Sequence, residues 1–168
     1  MSRAYDDNQT LQQKIMKGAN TLTDNVASTL GPRGRNVLLQ EKGKTPFITK
    51  DGVTVAHFVA LEDPFEDAAA QIIKQAAVET NATAGDGTTT ATVVARAILQ
   101  ESQRYVASGV SPIEIQRGLL LACKEVEANL VDMAAPITSI DDIKHIATIS
   151  ANNDPIIGDL IAMAIDRV

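Results

Sequence analysis

Apolar residues Leu11, Ile15, Ala19, Leu22, Val26 and Leu30 recur at intervals of three or four, which predicts a long helix with one apolar side. Gln12, Lys14 and Asp24 fall on its other faces. Gly31-Pro32 should stop it, because glycine permits a left-handed cap and proline cannot continue the hydrogen-bond ladder. Two short strand-like runs follow, Asn36-Val-Leu-Leu-Gln40 and Phe47-Ile-Thr49, separated by the polar Glu41-Lys-Gly-Lys-Thr45. This pattern predicts a β-hairpin.

Three later segments open with the same chemistry: Asp63-Pro64-Phe65-Glu66, Ser111-Pro112-Ile113-Glu114 and Ser139-Ile140-Asp141-Asp142. In each, a side-chain oxygen can accept from a free first-turn N–H, and an acid three residues on lies at the positive end of the helix dipole. Asp154-Pro155 looks like a fourth start. The stripes behind these starts are Ala69, Ile72, Ile73, Ala76; then Val94, Ala97, Ile98; then Ile115, Leu119, Ala122, Val126, Leu130. The expected fold class is mainly α with one small β-hairpin. A composition shift at Met133-Ala-Ala-Pro136 marks a boundary, giving segments 1–132 and 133–168. The last stripe, Ile157, Leu160, Ile161, Ala164, Ile165 and Val168, has no stop signal after it, so the chain is expected to be part of a longer polypeptide.

Composition narrows the class. The 168 residues are 45% apolar and 21% charged, which argues against disorder. A net charge of −6 removes the simplest case for general nucleic-acid binding. The single cysteine, Cys123, excludes an intrachain disulfide and a Cys-rich zinc site, and its place beside Leu119, Ala122 and Val126 suggests inert core packing. No stretch approaches the roughly 18 apolar residues of a membrane span, and the first residues carry no signal core, so no membrane partner and a cytoplasmic location are expected. His57 and His145 have no partner at metal-binding spacing and read as packing or surface residues.

The most unusual segment is Ala84-Gly85-Asp86-Gly87-Thr88-Thr89-Thr90. Glycines flanking Asp86 let the backbone turn and approach a ligand, and three threonines open a helix whose unpaired N–H groups can face an anion. Asp86 offers a hard oxygen ligand suited to magnesium. The plainer reading is that Asp86 caps the helix. A second loop, Thr49-Lys50-Asp51-Gly52-Val53-Thr54, repeats the Asp-Gly pair: Asp51 could orient or deprotonate a water attacking a phosphoryl group, with Lys50 offsetting charge, or Asp51 could simply be a cap. A third loop, Thr29-Leu-Gly-Pro-Arg-Gly-Arg-Asn36, offers a C-capping glycine and an apolar proline against which a base could pack; alone it reads as a helix stop.

Arg33, Arg35, Lys42, Lys44 and Lys50, opposed only by Glu41, make the stretch 33–50 +4 and leave −10 for the rest. Such a stretch either attracts a polyanion or forms a solvated rim. Neither a G-x-x-x-x-G-K-[ST] loop nor a G-x-G-x-x-G fingerprint is present.

Taken in order, Thr29–Asn36, Thr49-Lys-Asp-Gly-Val-Thr-Val-Ala56, Ala84-Gly-Asp-Gly-Thr-Thr-Thr-Ala-Thr92 and Ala147-Thr-Ile-Ser-Ala-Asn152 resemble the group I chaperonins, the GroEL-like family. The resemblance spans nearly the whole chain. It implies that residues 1–132 form the N-terminal part of a long-helix, ATP-binding equatorial domain. Residues 133–168 would begin the helical intermediate, or hinge, domain. It implies ATP and Mg2+ as cofactors, with K+ a further candidate, and a homo-oligomeric ring with a co-chaperonin lid and unfolded protein substrates. Residue by residue, Thr29, Leu30, Gly31 and Pro32 would line the adenine and ribose side, and Lys50 would lie near the phosphates. Asp86 would hold magnesium, while Gly87, Thr88, Thr89 and Thr90 would bind phosphate oxygens. Asp51 would be the catalytic group beside the attacking water, and Ile149 would approach the nucleotide from the hinge.

Two departures stand out. The family's second half, with its substrate-binding apical domain and a second catalytic aspartate, is absent, so ATP turnover is expected of the complete protein and not of this chain alone. His57-Phe-Val-Ala60 replaces a stretch that is usually charged in the family. The alternative expectation is a truncated, non-enzymatic interaction module that assembles with full-length partners.

Overall fold

The computed structural model of the chain describes residues 8–167; the start of the chain and Val168, the last residue of the final apolar stripe, lie outside the described residues. Helix dominates, as the apolar spacing predicts. Among the described residues the order is α1 (Asn8–Ala27), β1 (Val37–Leu39), β2 (Phe47–Thr49), α2 (Gly52–Phe58), α3 (Pro64–Ala84), α4 (Thr88–Ala107), α5 (Pro112–Met133), α6 (Ile140–Ser150) and α7 (Pro155–Asp166). The chain divides into two units between Ser111 and Pro112.

In the first unit, α1 packs against α3 and α4. Its core joins Ala19, Leu22 and Val26 of α1 to Ala70 and Ile73 of α3, Val55 and Ala56 of α2, and Leu39 of β1. Enclosing a side chain such as Leu22 stabilises the fold by about 1.5–3 kcal/mol relative to leaving it in water. Gly18 sets how close α1 comes to α3, because a Cβ there would collide with the Glu66 carbonyl. Lys14 pairs with Asp63 at 2.9 Å and Lys17 with Glu66 at 2.7 Å across the same crossing. Hydrogen bonding to Lys14, aided by the first-turn N–H groups of α3, holds the Asp63 carboxyl below its usual range.

The hairpin forms as expected, antiparallel with Val37 opposite Thr49, Leu38 opposite Ile48 and Leu39 opposite Phe47. Alternation buries Leu39 and leaves Leu38 and Ile48 exposed. Phe47 meets Phe58 edge to face, with ring centroids 6.1 Å apart, tying the hairpin to the end of α2.

Several expected stripes are displaced. Leu30 does not continue α1: Ser28 and Thr29 hydroxyls donate back to the Asn25 and Val26 carbonyls, the chain tightens at Thr29 and Leu30, and Leu30 is exposed. On α3, Ile72 faces outward and the buried line runs through Ala69, Ala70, Ile73 and Ala77. On α4, Val94, Ala97 and Ile98 are exposed, and the inward face is Thr88, Thr92, Ala95 and Leu99. Thr92 is tolerated inside because its hydroxyl donates to the Thr88 carbonyl at 2.9 Å.

In the second unit, α5 buries none of its residues, and Cys123 is exposed, contrary to the core packing suggested by its neighbours. Helices α6 and α7 pack on each other. Ser139 and Asp142 form a capping box on α6, and Asp154 caps α7 by accepting from Ile156 and Ile157 N–H. The contact is made by Gly158 and Ala162, with Ala147 also buried; a Cβ at Gly158 would run into Thr148. Ile157, Leu160, Ile161 and Ile165, the expected stripe of α7, are exposed. Lys144 pairs with Asp159, and that hydrogen bond raises the lysine above its usual range.

Candidate functional site

Two of the three loops singled out in the sequence, those at Asp51 and Asp86, are brought together in the first unit through Gly52 and Thr89, and the third follows the end of α1, on which Gly52 also packs. Helix α3 ends on Gly85, whose φ of 74° is left-handed and whose N–H donates to the Asn81 carbonyl at 3.1 Å. Gly87, at φ 82°, is likewise left-handed and is the N-cap of α4. Asp86 sits exposed between them, its Oδ1 accepting from the Gly87 N–H at 2.6 Å. The N-cap position of α4 thus falls on Gly87, which makes no side-chain cap bond, and not on Asp86 as the plainer reading had it. The first helical bond of α4 runs from the Ala91 N–H to the Gly87 carbonyl at 2.9 Å, so the Thr88, Thr89 and Thr90 amides precede the ladder. Thr88 is buried, Thr89 half-buried and Thr90 exposed, so the start of α4 passes from core to surface within one turn.

The second loop uses its aspartate differently. Asp51 is the N-cap of α2, and its Oδ2 accepts from the Thr54 N–H at 2.8 Å and from the Thr54 hydroxyl. The Asp51 N–H in turn donates to Thr49 Oγ1 at 3.1 Å. Lys50 is half-buried beside it.

In the third loop Thr29 is buried, with its hydroxyl on the Val26 carbonyl at 2.8 Å. Gly31 is left-handed at φ 73°, and Arg35 N–H returns to the Ser28 carbonyl at 2.8 Å, closing the loop on itself. Leu30, Gly31 and Pro32 stand exposed on the rim. Of the basic residues nearby, Lys44 pairs with Glu41 at 2.8 Å, as a solvated rim would have it.

Gly52 is the junction of these parts. It is buried, and a Cβ there would lie 3.4 Å from Val26 Cγ1 of α1 and 3.4 Å from Thr89 Cβ of α4, and closer still to the Thr89 hydroxyl. The Asp51 loop, the threonine-rich start of α4 and the end of α1 are thereby packed together. Ile149, the remaining candidate, lies on the last turns of α6 in the second unit and is exposed. Gly52 and Thr54 were not among the candidates from sequence. The Asp-x-x-Thr spacing could have revealed Thr54 as a capping partner, whereas the role of Gly52 depends on a neighbour 37 positions away, which no local pattern carries.

The model of the TCP-1/cpn60 chaperonin family matches residues 22–168. The chain belongs to this family. Among solved structures, it is similar to the chaperonin gp146 from the bacteriophage EL 2 (Pseudomonas aeruginosa), crystallised in the presence of ATP-BeFx, with a TM-score of 0.73 and 27% sequence identity over 92% of this chain. This chain spans 27% of the length of that chaperonin. The long helices and the hairpin of the first unit accord with a chaperonin equatorial-domain fold, as the sequence strings implied. No helix among the described residues is long and apolar enough to cross a membrane.

Proposed function

We propose that this chain carries the nucleotide-binding face of an ATP-dependent, protein-folding chaperonin subunit. In this reading residues 1–132 are the N-terminal part of the equatorial domain, and residues 133–168 begin the intermediate domain. The observation that carries it is the α4 start: an aspartate held between two left-handed glycines, followed by a helix whose first amides meet no side-chain cap. Such a terminus favours a phosphate through both its N–H groups and its dipole. The chaperonin gp146 crystallised in the presence of ATP-BeFx lends further support.

Among the described residues no three His, Cys, Asp or Glu side chains cluster to hold a metal by themselves. That suits magnesium, which takes one or two carboxylates and completes its shell with phosphate and water oxygens. Asp86 would hold the ion; when bound, it would offset phosphate charge. Gly87, Thr88, Thr89 and Thr90 would bind phosphate oxygens, with Lys50 close by and K+ a further candidate ion. Thr29, Leu30, Gly31 and Pro32 would line the adenine and ribose. Asp51 would orient the attacking water while its other oxygen contact stays on Thr54. Ile149 would meet the nucleotide through the hinge, giving ATP different contacts in open and closed arrangements, the condition for shifting a conformational equilibrium. A homo-oligomeric ring, a co-chaperonin lid, unfolded protein clients and a cytoplasmic location complete the proposal, with turnover belonging to the complete protein.

The test is calorimetric titration of Mg-ATP onto the intact protein and onto Asp86→Ala. Magnesium-dependent binding lost in the variant, with a nearly unchanged melting temperature, is the expected result. Equal affinity in both would end the site assignment. A second reading, a non-enzymatic module that assembles with longer partners, is favoured by the exposed Leu120, Leu121, Val126, Leu130, Val131 and Met133 of α5, since large exposed apolar patches mark interaction surfaces. A well-folded species without nucleotide affinity that joins a larger ring on mixing would select it.

A further inference from the structure

Resting on the nucleotide reading above, we propose that Gly52 is a positioning residue that sets the rotamer of Thr89, and through it the spacing between the Asp51 loop and the start of α4. The Thr89 hydroxyl occupies the space that a side chain at position 52 would take, and Thr89 Cβ and Val26 Cγ1 stand 3.4 Å from where a Cβ would be built. A methyl at 52 is therefore hemmed in by α4 on one side and α1 on another. The backbone of Gly52 is not in the left-handed region, so the glycine is required for space rather than for conformation.

Thr89 has few ways to yield. A β-branched side chain in a helix has only two common χ1 wells, because the third drives it into the preceding turn. Turning the hydroxyl away from position 52 therefore moves it to a different direction at the phosphate-facing end of α4, or else the two loops separate. Either change disturbs a donor that the nucleotide reading places on phosphate, and the separation of Asp51 from that donor. The missing side chain at 52 thus acts at a distance from any ligand contact of its own. It fixes where a neighbouring hydroxyl stands.

The test is a double-mutant cycle of Gly52→Ala and Thr89→Ala in the intact protein, with Mg-ATP affinity and melting temperature both measured, and Asp86→Ala as control. Gly52→Ala is expected to weaken Mg-ATP by about tenfold, the scale of one hydrogen bond to a charged group. Thr89→Ala should weaken it similarly, and the double variant should be no worse than Thr89→Ala, because the alanine at 89 both removes the donor and clears the space. Additive losses, or a Gly52→Ala protein that melts earlier but binds Mg-ATP as the parent does, would reduce Gly52 to a packing residue. If Asp86→Ala is also without effect on affinity, it is the nucleotide reading that fails, and the melting data still report whether the two positions couple.

Discussion

Two loops in the first unit carry the same Asp-Gly pair and spend the aspartate in opposite ways. Asp51 is extended, at φ −76° and ψ 118°, and turns its carboxylate onto the first turn of α2 through Thr54. Asp86 is preceded and followed by left-handed glycines, so the capping position passes to Gly87, which has no side chain to give. One acid stabilises its own helix; the other leaves a helix start uncapped and stands beside it. The backbone around an aspartate near a helix start thus decides whether its carboxylate reaches the first-turn amides, as Asp51 does, or the amide of the capping residue itself, as Asp86 does.

The largest expected effect separates the two uses directly. Asp86→Ala should cost about 100-fold or more in Mg-ATP affinity, since even outer partners of metal ligands are worth about 10–100-fold. The same change should cost only about 0.5 kcal/mol of stability, the low end for a hydrogen bond, since the bond it gives up to the Gly87 N–H is exposed. A variant that unfolds easily but binds ATP normally would reverse the roles assigned to the two loops.

Asp51 should behave the other way round. Asp51→Ala removes a cap and should cost about 1 kcal/mol of stability in denaturant unfolding. Asp51→Asn keeps the cap, because asparagine is as good a capping residue, but cannot accept a proton from water. In a turnover-competent complete protein, both variants should slow ATP hydrolysis, and only the alanine should loosen α2. If Asp51→Asn hydrolyses ATP at the parental rate, Asp51 is a cap and nothing more.

Much of this contrast was legible before the fold was known, and its limits have physical causes. The helices, the hairpin and the caps at Asp63, Ser139 and Asp154 rest on local spacing and first-turn chemistry, and they form close to where those rules put them, with α1 ending at Ala27 and not at Leu30. The faces of α4 and α7, and Ile72 on α3, were misplaced because periodicity ranks residues by polarity, while the close contacts are made by small residues and a self-satisfied threonine: Ala77, Thr92, Gly158 and Ala162. The segment at Asp86 was recognisable as unusual, but whether Asp86 capped α4 turned on the φ of Gly85 and Gly87, which composition permits without dictating. Gly52 was invisible as a junction because its constraint is set by Thr89 on another helix.

A smaller effect tests whether the glycines create the difference. Gly85 has φ 74° and nothing within 4 Å of a built Cβ, so an alanine there meets only backbone strain. Gly85→Ala should therefore cost about 1–2 kcal/mol, the penalty of a left-handed conformation for an ordinary residue. Gly85→Asn should cost less, since asparagine visits that region more readily. Matched losses for alanine and asparagine in chemical unfolding would point to a clash or a rearranged loop, and the conformational account of Asp86 would no longer hold.

The smallest effect calibrates what a committed carboxylate looks like, using Asp142 in the second unit. Its Oδ2 accepts from Thr138 N–H at 3.1 Å and Ser139 N–H at 3.0 Å, and the Thr138 backbone bond, then the Ser139 side chain, hold its carboxyl below the ordinary value of 3.8. A group whose pKa is lower folded than unfolded contributes stability that is complete above the unfolded value and disappears as pH falls through the folded one. Amide protection at Thr138, Ser139 and the first turn of α6 should therefore be flat from about pH 7 to pH 5 and decline below about pH 4. Asp142→Asn should flatten that acid limb, because its side chain no longer titrates. An acid limb that survives the substitution would assign the loss to other carboxylates, and capping by Asp142 would then be too weak to serve as the reference against which Asp51 and Asp86 are judged.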